Sequence, residues 1–329
     1  MKNLMFLLCY NMYRVIYMSK VVDAVIGHAV GDAMGVPTEF CIREKLQNNP
    51  VTEMIGYGKF PVPAGSWSDD TSMSIATIDS IINCNGEINI NDIMKNFYYW
   101  LKDGKYSSID EAFDVGRTCS CAISNYVKGI DINKCGLNDI KSNGNGSLMR
   151  IYPVALYAYY NNLKEDKLLN TVNEVSSLTH AHDISKLGCY IYVRYMLYLL
   201  NGISKEEAYE KIKDINYSSV YDIDTINSYS RILNDNIKNF KLDDIKSTGY
   251  IVDTLEASFW ILLNSKDYKE AILTSTNIGN DTDTIGAITG SMAGIIYGVD
   301  SIPKEWLDKL GRRDYLFDLA NKYERVLKK

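Results

Sequence analysis

Apolar residues recur every three or four positions along much of this chain, the spacing that places them on one face of an α-helix. The pattern is continuous over 22–34, returns over 75–82 and appears again over 93–101. Further helices are predicted near 110–128, 147–160, 185–201, 223–239, 249–263 and 283–297. Sustained alternation with a period of two, which is typical of half-buried strands, does not occur between the turn signals. The pattern therefore predicts an all-α fold.

The first helical segment contains Gly27, Gly31 and Gly35, one every four residues. Glycine lowers helix propensity, but the lack of a side chain lets a second backbone approach closely. Pro37 should end this helix, because the residue before a proline disfavours helical dihedral angles. Glu39 then lies on a loop beyond the helix C-terminus, where the helix dipole does not stabilise a carboxylate. Both a solvated loop acid and a positioned functional acid fit that placement.

The chain contains no Pro/Ser-rich linker, no repeat and no low-complexity tract. We therefore expect one domain over residues 20–329, in which Ser204 and Glu207 form a capping box that opens a further helix. Residues 1–19 are predicted to be an N-terminal extension, either a segment ahead of the native start or a loosely attached arm, because Met18 directly precedes a well-patterned helix. No apolar run is long enough to span a bilayer, so no membrane association is expected.

Composition narrows the function classes. The formal net charge of −6, without a long basic run, argues against a nucleic-acid groove and favours a small-molecule or protein substrate. The seven cysteines are scattered, and the closest pair, Cys119 and Cys121, has C-x-C rather than C-x-x-C spacing. Reduced thiols and a cytoplasmic location follow from that usage. We expect a monomer.

Two acidic clusters provide the main chemical signal, SDDT at 68–71 and NDTDT at 280–284, and each opens into an apolar helical run. Either cluster alone is explained by helix capping, since Asp, Ser and Thr oxygens accept the free N–H groups at a helix start. A cap needs one acceptor, however, and adjacent acids repel each other unless a cation lies between them. Carboxylates and hydroxyls are hard oxygen ligands, the type preferred by Mg²⁺, Mn²⁺ or Ca²⁺. The two clusters together predict a split metal site.

Two further segments suggest ligand binding. The glycine-rich turn at 143–150 exposes backbone N–H groups that can hold a phosphate, and Arg150 could add charge, although an ordinary turn and helix start has the same composition. The segment at 179–183 contains His180 and His182. Hydrogen bonding to a substrate is favoured over metal ligation because the acidic clusters are all-oxygen. A packed or surface histidine remains an alternative for both.

The ordered motifs GDAMGVPTEF, SWSDDTSMS, DVGRTC at 114–119, NGSLMR at 145–150, LTHAHD and GNDTDTIGAITGSMAGIIYG resemble those of the ADP-ribosylglycohydrolases. The resemblance covers about residues 20 to 300, and its specificity lies in the order and spacing of the motifs. NGSLMR followed by PVAL is most similar to the dinitrogenase-reductase-activating glycohydrolase branch, whose members cleave ADP-ribose from arginine.

The resemblance implies a single compact orthogonal helical domain with a binuclear Mg²⁺ or Mn²⁺ centre in an acidic cleft. The metal ligands would be Ser68, Asp69, Asp70, Asp281, Asp283 and Thr284. Glu39 and Asp114 would be the catalytic carboxylates. The substrate-binding residues would be Asn145, Gly146, Ser147, Met149 and His180.

The function implied is metal-dependent hydrolysis of the N-glycosidic bond in ADP-ribosylated arginine of proteins, with ADP-ribose as product. Three alternatives stay open. The enzyme could act on another ADP-ribosyl linkage, namely serine O-linked, nucleic-acid or O-acetyl-ADP-ribose. A non-catalytic, crystallin-like ADP-ribose binder would need no repelling carboxylates. A two-metal phosphohydrolase would cut the pyrophosphate instead.

Overall fold

The computed structural model describes residues 19–329 and contains sixteen α-helices and no β-strand in that range, which confirms the all-α prediction. The helices are α1 Lys20–Gly35, α2 Arg43–Asn48, α3 Asp69–Asn83, α4 Ile90–Asp103, α5 Arg117–Val127, α6 Tyr152–Tyr160, α7 Glu165–Ser177, α8 Asp183–Leu200, α9 Lys205–Lys213, α10 Ile223–Asn227, α11 Ser230–Leu233, α12 Ile251–Asn264, α13 Tyr268–Asn277, α14 Thr282–Tyr297, α15 Lys304–Lys309 and α16 Arg313–Leu327. Short 3₁₀ helices occur at Val36–Thr38, Ile132–Lys134, Ile140–Ser142, Asn145–Ser147, Tyr217–Ser219, Ile237–Asn239, Leu242–Asp244 and Val299–Ser301.

The predicted N-terminal extension, residues 1–19, lies outside the described residues except for Ser19. The Ser19 hydroxyl accepts the backbone N–H of Val22 and caps α1. No helix within residues 19–329 combines the length and apolar character needed to cross a membrane.

Helix boundaries differ from the sequence pattern where polar side chains compete for the backbone. The predicted helix at 110–128 begins only at Arg117, and the predicted helix at 147–160 begins at Tyr152. The segment 223–239 is divided into α10, α11 and a 3₁₀ turn, and its Asn-Asp-Asn run at 234–236 favours turns over a continuous helix. Helices α2, α7, α13, α15 and α16 were not expected from the pattern.

The centre of the fold is an antiparallel pair, α1 and α14, whose backbones touch. Each helix has a stripe of three glycines along the contact, and a Cβ atom on any of them would overlap the opposite backbone. The glycines are Gly27, Gly31 and Gly35 in α1 and Gly286, Gly290 and Gly294 in α14. Side chains at these positions would hold the helices farther apart. The close approach expected from the glycine spacing in α1 is confirmed, and the matching stripe in α14 completes it.

The antiparallel arrangement brings the start of α14 to the end of α1. The hydroxyl of Thr282 donates to the carbonyl of Gly35 at 2.9 Å, and that of Thr38 donates to Thr282 at 3.0 Å. The loop after α1 also pairs with the loop before α14, because the Phe40 N–H donates to Asn280 at 2.7 Å. The second acidic cluster therefore lies directly beside Glu39.

Other helices cover this central pair. α12 and α13 pack on α14, and α16 packs on both α1 and α3. The chain after Pro303, for which the sequence suggested no role, thus forms part of the core, and the Tyr323 hydroxyl in α16 donates to the carbonyl of Pro153 at 2.8 Å.

Candidate metal centre and substrate cavity

Three helices bring acidic side chains together at one point. Carboxylate oxygens of Asp32 from α1, Asp70 from α3 and Asp283 from α14 lie within 4.8 Å of one another. Asp283 also belongs to a second group with Glu39 and Asp114, whose oxygens are within the same distance. Residues from distant parts of the sequence therefore share one site, as the split-site prediction required.

Asp32 holds the start of α3 in place. Its carboxylate accepts the backbone N–H of Ser68 at 2.9 Å and both the N–H and the hydroxyl of Thr71, at 3.0 and 2.6 Å. We did not single out Asp32 from the sequence. The available signal was an acid in the last turn of a helix whose neighbours are almost all apolar or small. Asp32 thus orients the first acidic cluster through these hydrogen bonds. It is fully buried, so its carboxylate also adds to the negative charge there.

Three carboxylate oxygens at the centre have no hydrogen-bond partner and are buried: Asp70 Oδ1, Asp283 Oδ2 and Glu39 Oε2. Burying such an oxygen unpaired is costly. A divalent cation between the carboxylates removes that cost, and an all-oxygen donor set matches Mg²⁺ or Mn²⁺. The residues present therefore fit a metal of this class.

The electrostatics agree with this fit. Burial, followed by the negative charges of Asp32 and Asp283, raises the pKa of Asp70 well above its usual range. Burial, then repulsion by Asp114, does the same to the pKa of Asp283. The pKa of Glu39 rises to about 11, mainly through burial and then through Asp283 and Asp114. A bound cation would favour the charged forms instead.

Hydrogen bonds partly offset the rise in the pKa values of Asp32 and Asp114. Burial raises the pKa of Asp32 to about 6, with the bonds from Thr71 and Ser68 acting in the opposite direction. The pKa of Asp114 also rises to about 6 through burial. Asp114 has a φ of 53°, in the left-handed region, so the loop before α5 holds this acid in a strained backbone conformation.

A cavity of about 350 Å³ opens beside the carboxylates. Of the predicted metal and catalytic residues, those lining it are Glu39, Asp69, Asp114, Asp281 and Thr284. Ser68 lies behind them and donates its hydroxyl to Asp70 at 2.8 Å. Of the predicted substrate-binding residues, those lining it are Asn145, Gly146, Met149 and His180. Members of both predicted sets thus border one space, whereas Ser68, Asp70 and Asp283 do not line it.

Asn145 links the glycine-rich turn to the second acidic cluster. Its side-chain amide donates to Asp281 at 2.5 Å and to Thr254 at 2.9 Å, and its backbone N–H donates to Gly249 at 3.0 Å. Those contacts occupy the donors of Asn145, which we expected to bind the substrate. Ser147 is fully buried, does not line the cavity and accepts from the thiol of Cys189 at 3.4 Å.

The two histidines of the H-x-H segment have different environments. His180 is 2% exposed and borders the cavity, whereas the Nδ1 of His182 accepts the Ile184 N–H and caps α8. Arg150, considered above as a phosphate contact, is fully buried and does not line the cavity. Within residues 19–329, the one cationic side chain that lines it is Arg117, for which no ion pair forms.

Comparisons with known proteins agree with this geometry. The family model described as ADP-ribosylglycohydrolase matches residues 14–329. The chain belongs to the ADP-ribosylglycohydrolase family. Among relatives in this family, the ADP-ribosylarginine hydrolase Tri1 of Serratia proteamaculans (strain 568) is 33% identical over 309 residues, 92% of this chain and 78% of that protein.

A second relative is the ADP-ribosyl-[dinitrogen reductase] glycohydrolase of Rhodospirillum rubrum, 29% identical over 88% of this chain and 90% of that protein. A solved structure described as an ADP-ribosylglycohydrolase-related protein complex is similar in fold, with a TM-score of 0.79 and 26% identity. It covers 94% of this chain and 98% of its own. The predicted family is thus confirmed over nearly the whole chain.

Proposed function

We propose that this chain is a metal-dependent ADP-ribosylarginine hydrolase that releases ADP-ribose from modified arginine side chains of proteins. The observation that carries the proposal is the meeting of Asp32, Asp70 and Asp283 from three helices beside a cavity, with unpartnered oxygens on two of them. Relatives at about one-third identity or slightly less that are named for this activity support the choice of linkage.

In this proposal Asp69, Asp70, Asp281 and Asp283, with the hydroxyls of Ser68 and Thr284, hold two Mg²⁺ or Mn²⁺ ions. When bound, such ions supply Lewis acidity and fix the ribose hydroxyls. Asp32 supports this set through α3, and Asn145 supports it by holding Asp281.

Hydrolysis of the N-glycosidic bond adds water to the anomeric carbon. The carbon–nitrogen bond breaks with its electron pair on the guanidine nitrogen, and one proton passes from the water to the leaving group. Positive charge develops on the ribose during this step, and carboxylates stabilise it. Glu39 and Asp114 share a cluster with Asp283 and border the cavity, so we assign proton transfer and leaving-group positioning to them.

The first experiment measures release of free ADP-ribose from ADP-ribosyl-arginine in Mg²⁺ or Mn²⁺ and in EDTA. Metal-dependent release is expected. A panel of serine-linked, nucleic-acid-linked and O-acetyl conjugates tests the linkage, and AMP among the products would instead indicate a phosphohydrolase. Binding of ADP-ribose without turnover of any conjugate would contradict the proposal and indicate a non-catalytic binder.

A further inference from the structure

A fully buried arginine, Arg150, lies behind the cavity wall. No carboxylate within residues 19–329 pairs with it. Both terminal nitrogens donate to the carbonyl of Val175 at 3.3 Å, and the guanidinium lies 4.6 Å from the ring centre of Phe97. Burying a cation without a counter-ion is expensive. A purely structural role would be served at lower cost by an apolar side chain of similar volume.

The remaining contact of this arginine leads toward the cavity. Its Nη2 donates to the hydroxyl of Thr179 at 2.7 Å, and that oxygen lies 2.9 Å from Nδ1 of His180. A guanidinium has no acceptor, so the Thr179 oxygen must accept from it. The hydroxyl hydrogen is then free for the imidazole nitrogen. The sulfur of Cys119, which also lies near Thr179, is a weak acceptor by comparison.

This chain of bonds favours one tautomer of His180. If Nδ1 accepts from Thr179, the neutral ring carries its hydrogen on Nε2. Burial and the charge of Arg150 lower the pKa of His180 to about 3, so the ring is neutral at physiological pH. Within the described part of the chain Nε2 has no partner, and the ring lies in the cavity wall beside Gly144 and Gly146.

We propose that Arg150 is a positioning residue that, acting through Thr179, holds His180 in the tautomer whose Nε2–H donates to a phosphoryl oxygen of the bound substrate. The inference rests on the proposed function and names the group that His180 contacts. The opposite tautomer would present a lone pair to the cavity and repel the same oxygen. Arg150 thus selects for an anionic acceptor without touching it.

The tautomer can be observed directly, because the chain contains only three histidines. Nitrogen-15 imidazole spectra of the full chain, assigned with His180→Gln, should show His180 unprotonated at Nδ1 and protonated at Nε2. A hydrogen on Nδ1 of His180 in the unaltered protein would overturn the inference. Apart from the assignment with His180→Gln, this measurement requires no variant. His28 and His182 provide internal references for the fold.

Replacement of the linking hydroxyl tests the positioning role. Thr179→Val keeps the side-chain shape and removes the hydroxyl, so the Nε2–H tautomer should lose its preference. The affinity for ADP-ribose in Mg²⁺, measured by calorimetry, should fall about tenfold. Thr179→Ser retains the hydroxyl and should restore both readouts to within about twofold of the unaltered protein. Arg150→Lys keeps a buried donor and should lie between the two.

The outcomes separate this inference from the proposed function. If the unaltered protein does not bind ADP-ribose, the proposed function and the phosphate contact both fail. If it binds but Thr179→Val leaves the tautomer and the affinity unchanged, the positioning role alone is refuted. Loss of affinity in Thr179→Val with an unchanged His180 tautomer would also refute it, because the effect would then be structural.

Discussion

Asp283 occupies the centre of the candidate site. It belongs to the group of carboxylates that it forms with Asp32 and Asp70, and also to the group that it forms with Glu39 and Asp114. One of its oxygens accepts the Thr284 N–H at 2.9 Å, and the other is buried without a partner. In the proposed mechanism Asp283 would contact both the cation and the two carboxylates assigned to proton transfer. Its replacement should therefore affect metal binding and catalysis together.

Replacing this carboxylate with an amide tests the metal assignment. Asp283→Asn keeps the shape but removes one negative charge, so the affinity for Mn²⁺ and the rate at limiting metal should each fall by about 10- to 100-fold. Calorimetric titration with Mn²⁺ and release of ADP-ribose provide the two measurements. Asp318→Asn, on the exposed face of α16, is the matched control and should change neither. Unaltered turnover of Asp283→Asn at limiting metal would refute the assignment.

Arg117 is predicted to bind the anionic part of the proposed substrate. It is the one described cation on a cavity wall that otherwise contains four carboxylates, Glu39, Asp69, Asp114 and Asp281. Arg117→Ala should weaken ADP-ribose binding about tenfold at low salt and less at high salt, because the lost interaction is partly screened. Mn²⁺ affinity should not change.

The control for this prediction lies at the other end of the same helix. Lys128→Ala removes an exposed charge beyond the last turn of α5, so it should leave ADP-ribose binding unchanged. Equal effects of the two substitutions would show that only the overall charge matters, and would remove Arg117 from the site.

The sequence carried enough information to predict the acids of both clusters, because runs of adjacent carboxylates exceed what capping needs. It did not indicate Asp32 or the role of Asn145. Their importance depends on which residues they meet, namely Ser68 and Thr71 for one and Asp281 for the other. Those contacts join segments that are far apart in the chain, and no local pattern encodes them.

At the scale of elements, the contact between α1 and α14 determines the geometry of the site. Gly31→Ala would place a Cβ atom against the backbone of Gly286. Neither helix can move without separating the acids at their ends. We expect a loss of about 3 kcal/mol or more in the free energy of unfolding and weaker Mn²⁺ binding in the folded protein.

Chemical denaturation and Mn²⁺ titration measure these two effects. Gly116→Ala is the control for stability, because a Cβ atom there meets nothing within 4 Å and its φ of −59° suits alanine. If Gly31→Ala were as stable as the unaltered protein, the backbone contact would not be essential to the fold.

Most helices with an apolar stripe were predicted, but α7 and α16 were missed although each has one. The buried stripe of α16 consists of Leu316, Leu319, Ala320, Tyr323 and Leu327, and that of α7 includes Leu168, Val172 and Val175. The glycine spacing in α1 indicated a close partner, but only the structure identifies α14 as that partner. Most of the five unexpected helices are short or polar and owe their stability to packing against the core. The interruption of 223–239 likewise reflects local side-chain competition that periodicity alone does not reveal.

At the scale of the whole molecule, the acidic centre should make stability depend on pH and on metal. Asp32 and Asp114 have folded-state pKa values of about 6, above the ordinary 3.8. Their contribution to stability is fully present below about pH 4 and is lost as the pH rises through about 6. In EDTA the unfolding temperature should therefore fall between about pH 4.5 and pH 7.5.

Mg²⁺ or Mn²⁺ should remove most of this decline, because the cation favours the ionised carboxylates. Asp23 also has a pKa raised to about 6 by burial, but it bonds to Val299 and lies apart from the cavity. Its share of the decline should persist in metal. Thermal unfolding across this pH range, with and without metal, measures the difference. If the unfolding temperature fell equally with pH in the presence and absence of metal, a carboxylate metal centre would be contradicted.

The pairing of α1 with α14 also determines when activity can arise during synthesis. The first described helix leaves the ribosome early, but its glycine stripe has no partner until residues 282–297 follow. Such long-range contacts form late because a large loop must close first. A nascent chain therefore carries five of the seven acids of the centre, all but Asp281 and Asp283, without being able to assemble it. The acids at the two helix ends can meet only after residues 282–297 have been synthesised.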